Sequence, residues 1–256
     1  MNWTIIGCGW LGTSLAETLL ENGSFVCGTT TSIERLKSLE NKGIKTALFH
    51  LNSQISTELV DFSEMVVISI PPFNKSKPMD YAASLLHLVQ QFKTTTRFLF
   101  LGSTGIYPQI SGLYTEEYVF KIDEQNSSLY QAEKALGAYL KKRLTILRLG
   151  GLFGEDRHPI HHLSGKSGVK NPLGKINFAG KNDIISIIQL LIKKDKLGGI
   201  YNIVYPAYPT REVYYNKKAN QLNLAPPIFE MGPSIQREIS SNKIQLTLDF
   251  NFKQTI

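Results

Sequence analysis

Trp3-Thr-Ile-Ile-Gly-Cys-Gly-Trp-Leu-Gly12 is the stretch from which this chain can be read. Thr4, Ile5 and Ile6 form a short apolar run ending at Gly7, the pattern of a buried parallel strand. Leu11, Leu15 and Leu19 then follow at four-residue spacing, as one face of a helix does. Gly7, Gly9 and Gly12 stand at the three places of a dinucleotide-binding turn: a tight turn, a close backbone approach to a pyrophosphate, and tight packing of helix on strand. The helix start after Gly9 offers free N–H groups and a positive dipole to phosphates. Gly7, Gly9, Trp10, Leu11 and Gly12 are therefore the candidate phosphate loop.

Working outward, strand-like runs near Phe25–Thr29, Lys45–Phe49, Met65–Ile70, Arg97–Gly102, Leu144–Leu149 and Ile200–Val204 are separated mainly by helix-like segments. The helices are expected near Ile33–Asn41, Met79–Phe92, Leu129–Lys141 and Asn182–Lys194, with shorter ones beyond Thr210. Such alternation predicts an α/β Rossmann fold, a doubly wound parallel sheet with helices on both faces. From about Gly151 the glycine, proline and histidine content rises and the alternation loosens. The expected division is a dinucleotide-binding core over 1–150 and a small substrate-side lobe over 151–256 that carries the last sheet strand, the whole forming one continuous unit.

The second strand ends in Gly28-Thr-Thr-Thr-Ser32, where an NAD-preferring site would place an acidic side chain for the ribose diol. None is present, and Glu34 falls on the following helix. The hydroxyls, Thr30 among them, and Arg35 could accept a 2′-phosphate, so the cofactor is NADP or NAD with NADP favoured; a polar helix N-cap would account for the same residues. Ser69-Ile-Pro-Pro72 closes the fourth strand beside the expected cofactor, which brings Ser69 and Pro71 into the candidate binding set and makes a rigid turn there.

The chain has 256 residues, 42% hydrophobic and 19% charged, ordinary values for a globular protein. A first strand beginning at Trp3 leaves no room for a signal peptide, and the apolar run Ile184–Ile192 is interrupted by Ser186 and Gln189, so a cytoplasmic protein without a membrane span is expected. Cys8 and Cys27 are the two cysteines, read as reduced structural thiols. The net charge of +7 raises the question of nucleic acid. However, Lys141-Lys-Arg143 and Lys193-Lys-Asp-Lys196 each close a helix and carry no interleaved aromatics for base stacking. The expected partner is a small-molecule substrate, without nucleic acid or membrane, and a homodimer is the candidate assembly.

Arg97-Phe-Leu-Phe-Leu-Gly102 runs into Ser103-Thr-Gly-Ile-Tyr-Pro108, and Tyr130-Gln-Ala-Glu-Lys134 follows. Tyr-x-x-x-Lys also occurs at Tyr214–Lys218, but Tyr130 follows a serine-rich helix start in which Ser128–Gln131 reads as a capping box. The i, i+4 spacing puts Lys134 on the face of Tyr130. A phenol with a pKa of about 10 needs a nearby cation to move protons near neutrality. Lys134 can supply that charge and hold a nicotinamide ribose, while Ser103 can hydrogen-bond a substrate carbonyl or alcohol. Hydride transfer belongs to the nicotinamide.

On these residues the chain resembles the short-chain dehydrogenase/reductase superfamily, in particular its extended and atypical members, the NAD-dependent epimerase/dehydratase-like proteins. Ser103-Thr-Gly-Ile-Tyr-Pro108 is similar to the family's Ser-x-x-Val-Tyr-Gly, and Tyr130 with Lys134 to its Tyr-x-x-x-Lys. Arg148-Leu-Gly-Gly-Leu-Phe-Gly154 resembles its Arg-x-x-x-Val-Tyr-Gly, and Asn177–Asp183 the Asn-x-Ile-His-Val-Asp-Asp stretch, of which Asn177 and Asp183 are kept. The resemblance implies Ser103, Tyr130 and Lys134 as a catalytic triad and Gly7, Gly9 and Gly12 as the phosphate loop. Gly-x-Gly-x-x-Gly is the form found in atypical members, some of which lack activity, and His50 stands where an adenine-contacting Asp is common.

His158, His161 and His162 lie with Glu155 and Asp156 in one polar stretch. Pro159 breaks helical two-ligand spacing, so an exposed loop or substrate lid is expected there and no metal site. The combined expectation is an NAD(P)-dependent oxidoreductase or epimerase/dehydratase-like enzyme acting on a hydroxyl or carbonyl of a small substrate, with sugars among the candidates. The alternative is a catalytically silent NAD(P)-binding sensor or scaffold.

Overall fold

A computed structural model describes residues 1–72 and 78–256, without the side chains of Pro78 and Met79. The chain runs β1 (Asn2–Ile6), α1 (Trp10–Glu21), β2 (Phe25–Thr30), α2 (Ile33–Glu40), β3 (Lys45–Leu48), α3 (Thr57–Phe62), β4 (Met65–Ile68), α4 (Pro78–Gln90) and β5 (Arg97–Ser103). It continues through β6 (Gly112–Tyr114), α5 (Ser128–Leu140), β7 (Leu144–Leu149), β8 (Gly151–Phe153), α6 (Ile160–Leu163), β9 (Phe178–Gly180) and α7 (Lys181–Lys193). The last elements are β10 (Ile200–Ile203), α8 (Arg211–Gln221), β11 (Arg237–Ile239) and α9 (Asn242–Leu248).

Seven strands form a mostly parallel sheet in the order β10-β7-β5-β4-β1-β2-β3, with helices around it. This is the Rossmann-type α/β fold that the alternation predicts. Every residue of β4 and of β7 is buried; β4 accordingly reads as a continuous apolar run, whereas β7 buries Thr145 and Arg148 among its apolar residues. From β1 the chain winds outward through β2 and β3, then returns to place β4 on the other side of β1. The end of β1 is therefore a point where strand order reverses, the place at which open α/β sheets bind ligands.

The chain divides into two compact units. The first comprises 1–106, 120–148 and 188–200. Its largest described apolar cluster packs Leu85, Leu88 and Val89 of α4 with Leu136 and Leu140 of α5 over Val66, Phe98 and Phe100. The second comprises 107–119, 149–187 and 201–256. It contains two short parallel pairs, β6 with β11 and β8 with β9, which sequence periodicity does not reveal. Two residues of the Asn177–Asp183 stretch hold this unit together. The Asn177 amide donates to Arg237 O at 2.7 Å and accepts from Ile239 N at 2.9 Å, and the Asp183 carboxylate accepts from Lys253 N and Gln254 N at 3.0 and 2.9 Å.

Among the described residues no helix is long and apolar enough to cross a membrane. Both cysteines are buried and unpaired, and burial pushes the Cys27 thiol up to about 11.

The histidine stretch corrects one expectation. His158 does not sit in an exposed loop: its ring packs among Phe153, Phe178 and Tyr214. Nδ1 accepts from Ile160 N at 3.1 Å, so in the neutral ring Nε2–H donates to the Tyr214 hydroxyl, 2.7 Å away. Burial, then the nearby positive charge of Lys218, lowers the His158 pKa to about 4. In the unfolded chain it protonates near pH 6.5. Its contribution to stability is thus complete above that pH and is lost as pH falls toward 4, because the unfolded state takes up the proton first. Urea midpoints at pH 7 and pH 4.5 should fall further in the wild type than in His158→Asn; equal falls would place the acid sensitivity elsewhere.

Candidate functional site

The three glycines of the opening turn have different surroundings. Gly7 has φ +88°, and a Cβ there would stand 2.8 Å from the Ser69 carbonyl oxygen. A Cβ on Gly12 would meet Gly7 O at 3.1 Å and Ile5 Cγ2 at 3.2 Å, so helix and strand pack too closely for a side chain. Gly9 differs, because only Gly7 O lies near a Cβ built on it, at 3.9 Å. It is the N-cap of α1, brings no capping side chain, and is followed by a first turn without acidic residues. That helix end is suited to an anion.

A cleft of about 310 Å³ opens at this turn, lined by Gly7, Cys8 and Gly9, by Thr29, Thr30, Thr31 and Arg35, by Phe49 and Leu51, and by Ser69, Ile70 and Pro71. Backbone links fix the lining: Cys8 N donates to Thr29 O at 2.7 Å, Gly7 N to Thr29 Oγ1 at 3.0 Å, and Ser69 N to Ile6 O at 2.9 Å. Among the described residues Arg35 is the one formally charged member of the lining. Its Nη2 donates to Cys8 O at 3.3 Å, which ties the guanidinium to the glycine turn. Ser32 is the N-cap of α2 and accepts from Arg35 N, so the polar-cap reading of these hydroxyls holds for Ser32, while Thr30 and Thr31 face the cleft.

Gly7, Gly9, Thr30, Arg35, Ser69 and Pro71 thus come together. Trp10, Leu11 and Gly12 open α1, with Leu11 and Gly12 buried and none of the three in the lining. Sequence reasoning missed Phe49 and Leu51. They alternate about His50, which is exposed, so period-2 spacing after β3 was the available signal.

Ser103, Tyr130 and Lys134 lie outside that lining. Ser103 ends β5, and its Oγ accepts from Gly105 N at 3.0 Å. The capping box expected at Ser128–Gln131 does not form. Ser127 is the cap, its Oγ accepting from Tyr130 N at 3.1 Å, while the Gln131 amide donates to Gln125 O at 2.7 Å. The cap falls on the earlier of two consecutive serines, and the third residue after it is Tyr130, whose side chain cannot close a capping box. Along α5, Ala132, Glu133, Leu136 and Leu140 are buried, and Tyr130 and Lys134 run along the adjoining, more open flank. A Cβ on Gly105 would stand 3.2 Å from Ser103 Oγ and 3.6 Å from Leu129 Cδ1, so Leu129 packs beside Gly105. Among the described residues the Tyr130 hydroxyl and the Lys134 ammonium make no hydrogen bond or ion pair.

Behind this flank lies a buried ion pair. Arg148 of β7 donates from Nε to both Glu133 oxygens at 3.1 Å and from Nη2 to Oε2 at 2.7 Å. Burial pushes the Glu133 carboxyl up, and the paired guanidinium opposes that shift.

Sheet and glycine turn make this a Rossmann-type α/β fold, which solved epimerases and reductases share. Among solved structures the chain matches UDP-glucuronic acid 4-epimerase from Bacillus cereus, with a TM-score of 0.80 and 18% identity over 100% of this chain and 95% of that one. It also matches vestitone reductase from alfalfa, with a TM-score of 0.77 and 17% identity over 100% and 94%. Residues 2–87 match the family described as NADP oxidoreductase coenzyme F420-dependent. The chain belongs to the family of the Escherichia coli (strain K12) protein YeeZ, to which it is 31% identical over 235 residues, 88% of this chain and 85% of that protein.

The glycine surroundings predict a contrast in stability. Gly7→Ala should cost about 2 kcal/mol or more, from left-handed backbone strain and the Ser69 contact, whereas Gly9→Ala should stay within about 0.5 kcal/mol of wild type. Denaturant titration of both variants checks this.

Proposed function

We propose that the chain binds NADP or NAD in the cleft after β1 and oxidises or reduces a hydroxyl or carbonyl of a small substrate. The observation that carries this reading is the glycine turn at the strand-order reversal, with open space at Gly9, an uncapped helix start and an arginine held beside it. The cleft fits the cofactor: small and hydroxyl-bearing residues meet phosphates, Phe49 and Leu51 offer an apolar surface to the adenine, and among the described lining residues no carboxylate opposes the charge. Arg35, with Thr30 and Thr31, favours the 2′-phosphate of NADP. The match of residues 2–87 to an NADP oxidoreductase family supports the same reading, as does the likeness to an epimerase whose solved complex contains UDP-glucuronic acid and NAD.

When bound, the nicotinamide supplies hydride chemistry. The chain's own part falls to three side chains. Ser103 donates a hydrogen bond to the substrate oxygen, Tyr130 gives or takes the proton there, and Lys134, one turn later, holds the ribose. Sugars and nucleotide-linked sugars are the substrate class to try first, by analogy with the epimerase fold.

The second reading is a catalytically silent NAD(P) sensor. It is favoured by the absence of a Ser103–Tyr130 hydrogen bond among the described residues. Turnover separates the two readings.

Calorimetry tests the binding step. Gly9→Asp should abolish NAD and NADP binding in a folded protein, since a carboxylate would occupy the pyrophosphate's path. Arg35→Ala should weaken NADPH while sparing NADH. Unchanged binding in Gly9→Asp excludes the cleft, and equal weakening of both cofactors in Arg35→Ala excludes the 2′-phosphate reading.

Nicotinamide absorbance, used in an unbiased substrate screen, tests the chemistry. Tyr130→Phe should keep the fold and cofactor affinity while turnover drops by about 10² or more. Near-normal turnover in that variant removes Tyr130 from proton transfer.

A further inference from the structure

We propose that Phe120 is a positioning residue for Tyr130, fixing the orientation of the phenol ring from the side of the buried Arg148–Glu133 pair. The proposal rests on the reading of Tyr130 as the acid/base, but its test observes the ring directly.

Four residues form a closed circuit. The Phe120 and Tyr130 ring centroids are 5.1 Å apart, with planes inclined by 60°. The guanidinium carbon of Arg148 lies 5.7 Å from the Phe120 centroid, within cation–π range. Arg148 holds Glu133 in its fork, and Glu133 is three residues beyond Tyr130 on the same helix. The ion pair sets the rotation of α5 about its axis, and Phe120 meets the ring that this rotation presents.

Phe120 is itself tethered to α5. The Gln125 amide donates to Phe120 O at 3.1 Å, and the Gln131 amide donates to Gln125 O at 2.7 Å. Two glutamine side chains thus connect the Phe120 backbone to the first turn of the helix, where Ser127 already caps Tyr130 N. The Tyr130 ring is accordingly held at its backbone by the cap and at its side by Phe120, while its hydroxyl is left unpartnered among the described residues. That division suits a proton-transfer group, which needs a fixed ring and an available oxygen. Because Glu133 neutralises Arg148, the pair presents little net charge to the phenol. Phe120 therefore acts by orientation.

The test is 13C relaxation of the ring carbons in tyrosine-labelled full-length protein, with the Tyr130 signal assigned by its loss in Tyr130→Phe. In Phe120→Leu the Tyr130 ring order parameter should fall while NADPH affinity stays at the wild-type value, and Phe120→Tyr should restore the order. Gln125→Ala keeps both rings and loosens the tether, so it should produce a smaller fall and decides the matter if Phe120→Leu does not fold. With an active substrate, Phe120→Leu should lower kcat about tenfold or more, with the cofactor KM unchanged. Unaltered Tyr130 ring order in Phe120→Leu, or in Gln125→Ala where the first variant fails to fold, overturns the proposal. A loss of ring order in a protein with no turnover on any substrate upholds the positioning role and instead removes the catalytic reading of Tyr130.

Discussion

The backbone of β1 must turn at Gly7 within contact distance of the Ser69 carbonyl, and the binding cleft is arranged around that approach. β1 lies between β2 and β4, so the ends of both neighbouring strands reach the same turn from opposite sides. Thr29 arrives from one side and bonds Gly7 and Cys8, while Ser69 arrives from the other and bonds Ile6. Gly12 then lets α1 settle on Ile5, which points the helix start into the space between the two strand ends. A side chain at Gly7 or Gly12 would separate these parts, whereas Gly9 touches almost nothing. Two glycines serve packing, and the third leaves room for an occupant.

The ion pair between Glu133 and Arg148 plays the corresponding role for α5. Both groups are nearly dry, at 7% and 4% exposure. Losing one partner of such a pair strands a charge at a cost of about 3–5 kcal/mol, although an apolar pair of equal volume could be as stable. What an apolar pair would not supply is direction. A guanidinium bonded to both carboxylate oxygens accepts only one rotation and one height of the helix on its strand. Glu133 Oε1 also lies 3.4 Å from where a Cβ on Gly102 would stand, so the helix packs against β5 one residue before Ser103.

What the sequence disclosed followed the strength of each local signal. The first turn and the seven-strand alternation were legible because buried parallel strands are apolar runs, and β7 has the expected limits of Leu144 and Leu149. β4 stops at Ile68, two residues before the apolar run ends, because chain beyond it turns toward Pro71. β6 and β11 have three residues each and pair across 125 positions, a contact that no local pattern encodes. His158 read as exposed because its loop is polar on both sides; its partner Tyr214 lies 56 positions away. In the cleft, the glycines, Thr30, Arg35, Ser69 and Pro71 could be named from strand ends alone. Phe49 and Leu51 carry a weaker signal, a single alternation about the exposed His50.

The chemistry of the site depends on one residue step along α5. Leu129, half-buried like Tyr130, stands at the head of the stripe of Glu133, Leu136 and Leu140, whereas Tyr130 and Lys134 share the next stripe, about 100° around the axis. A group that moves protons to a substrate has to stand on a flank that solvent and ligand can reach, and a group that holds the helix has to stand on the stripe that meets the sheet. Because the Glu133–Arg148 pair fixes the stripe, it also fixes the flank. Tyr130 and Lys134 thereby stand on the flank, and Glu133, Leu136 and Leu140 on the stripe. The physical question is the rotational phase of a single helix, which the ion pair sets and no sequence motif specifies.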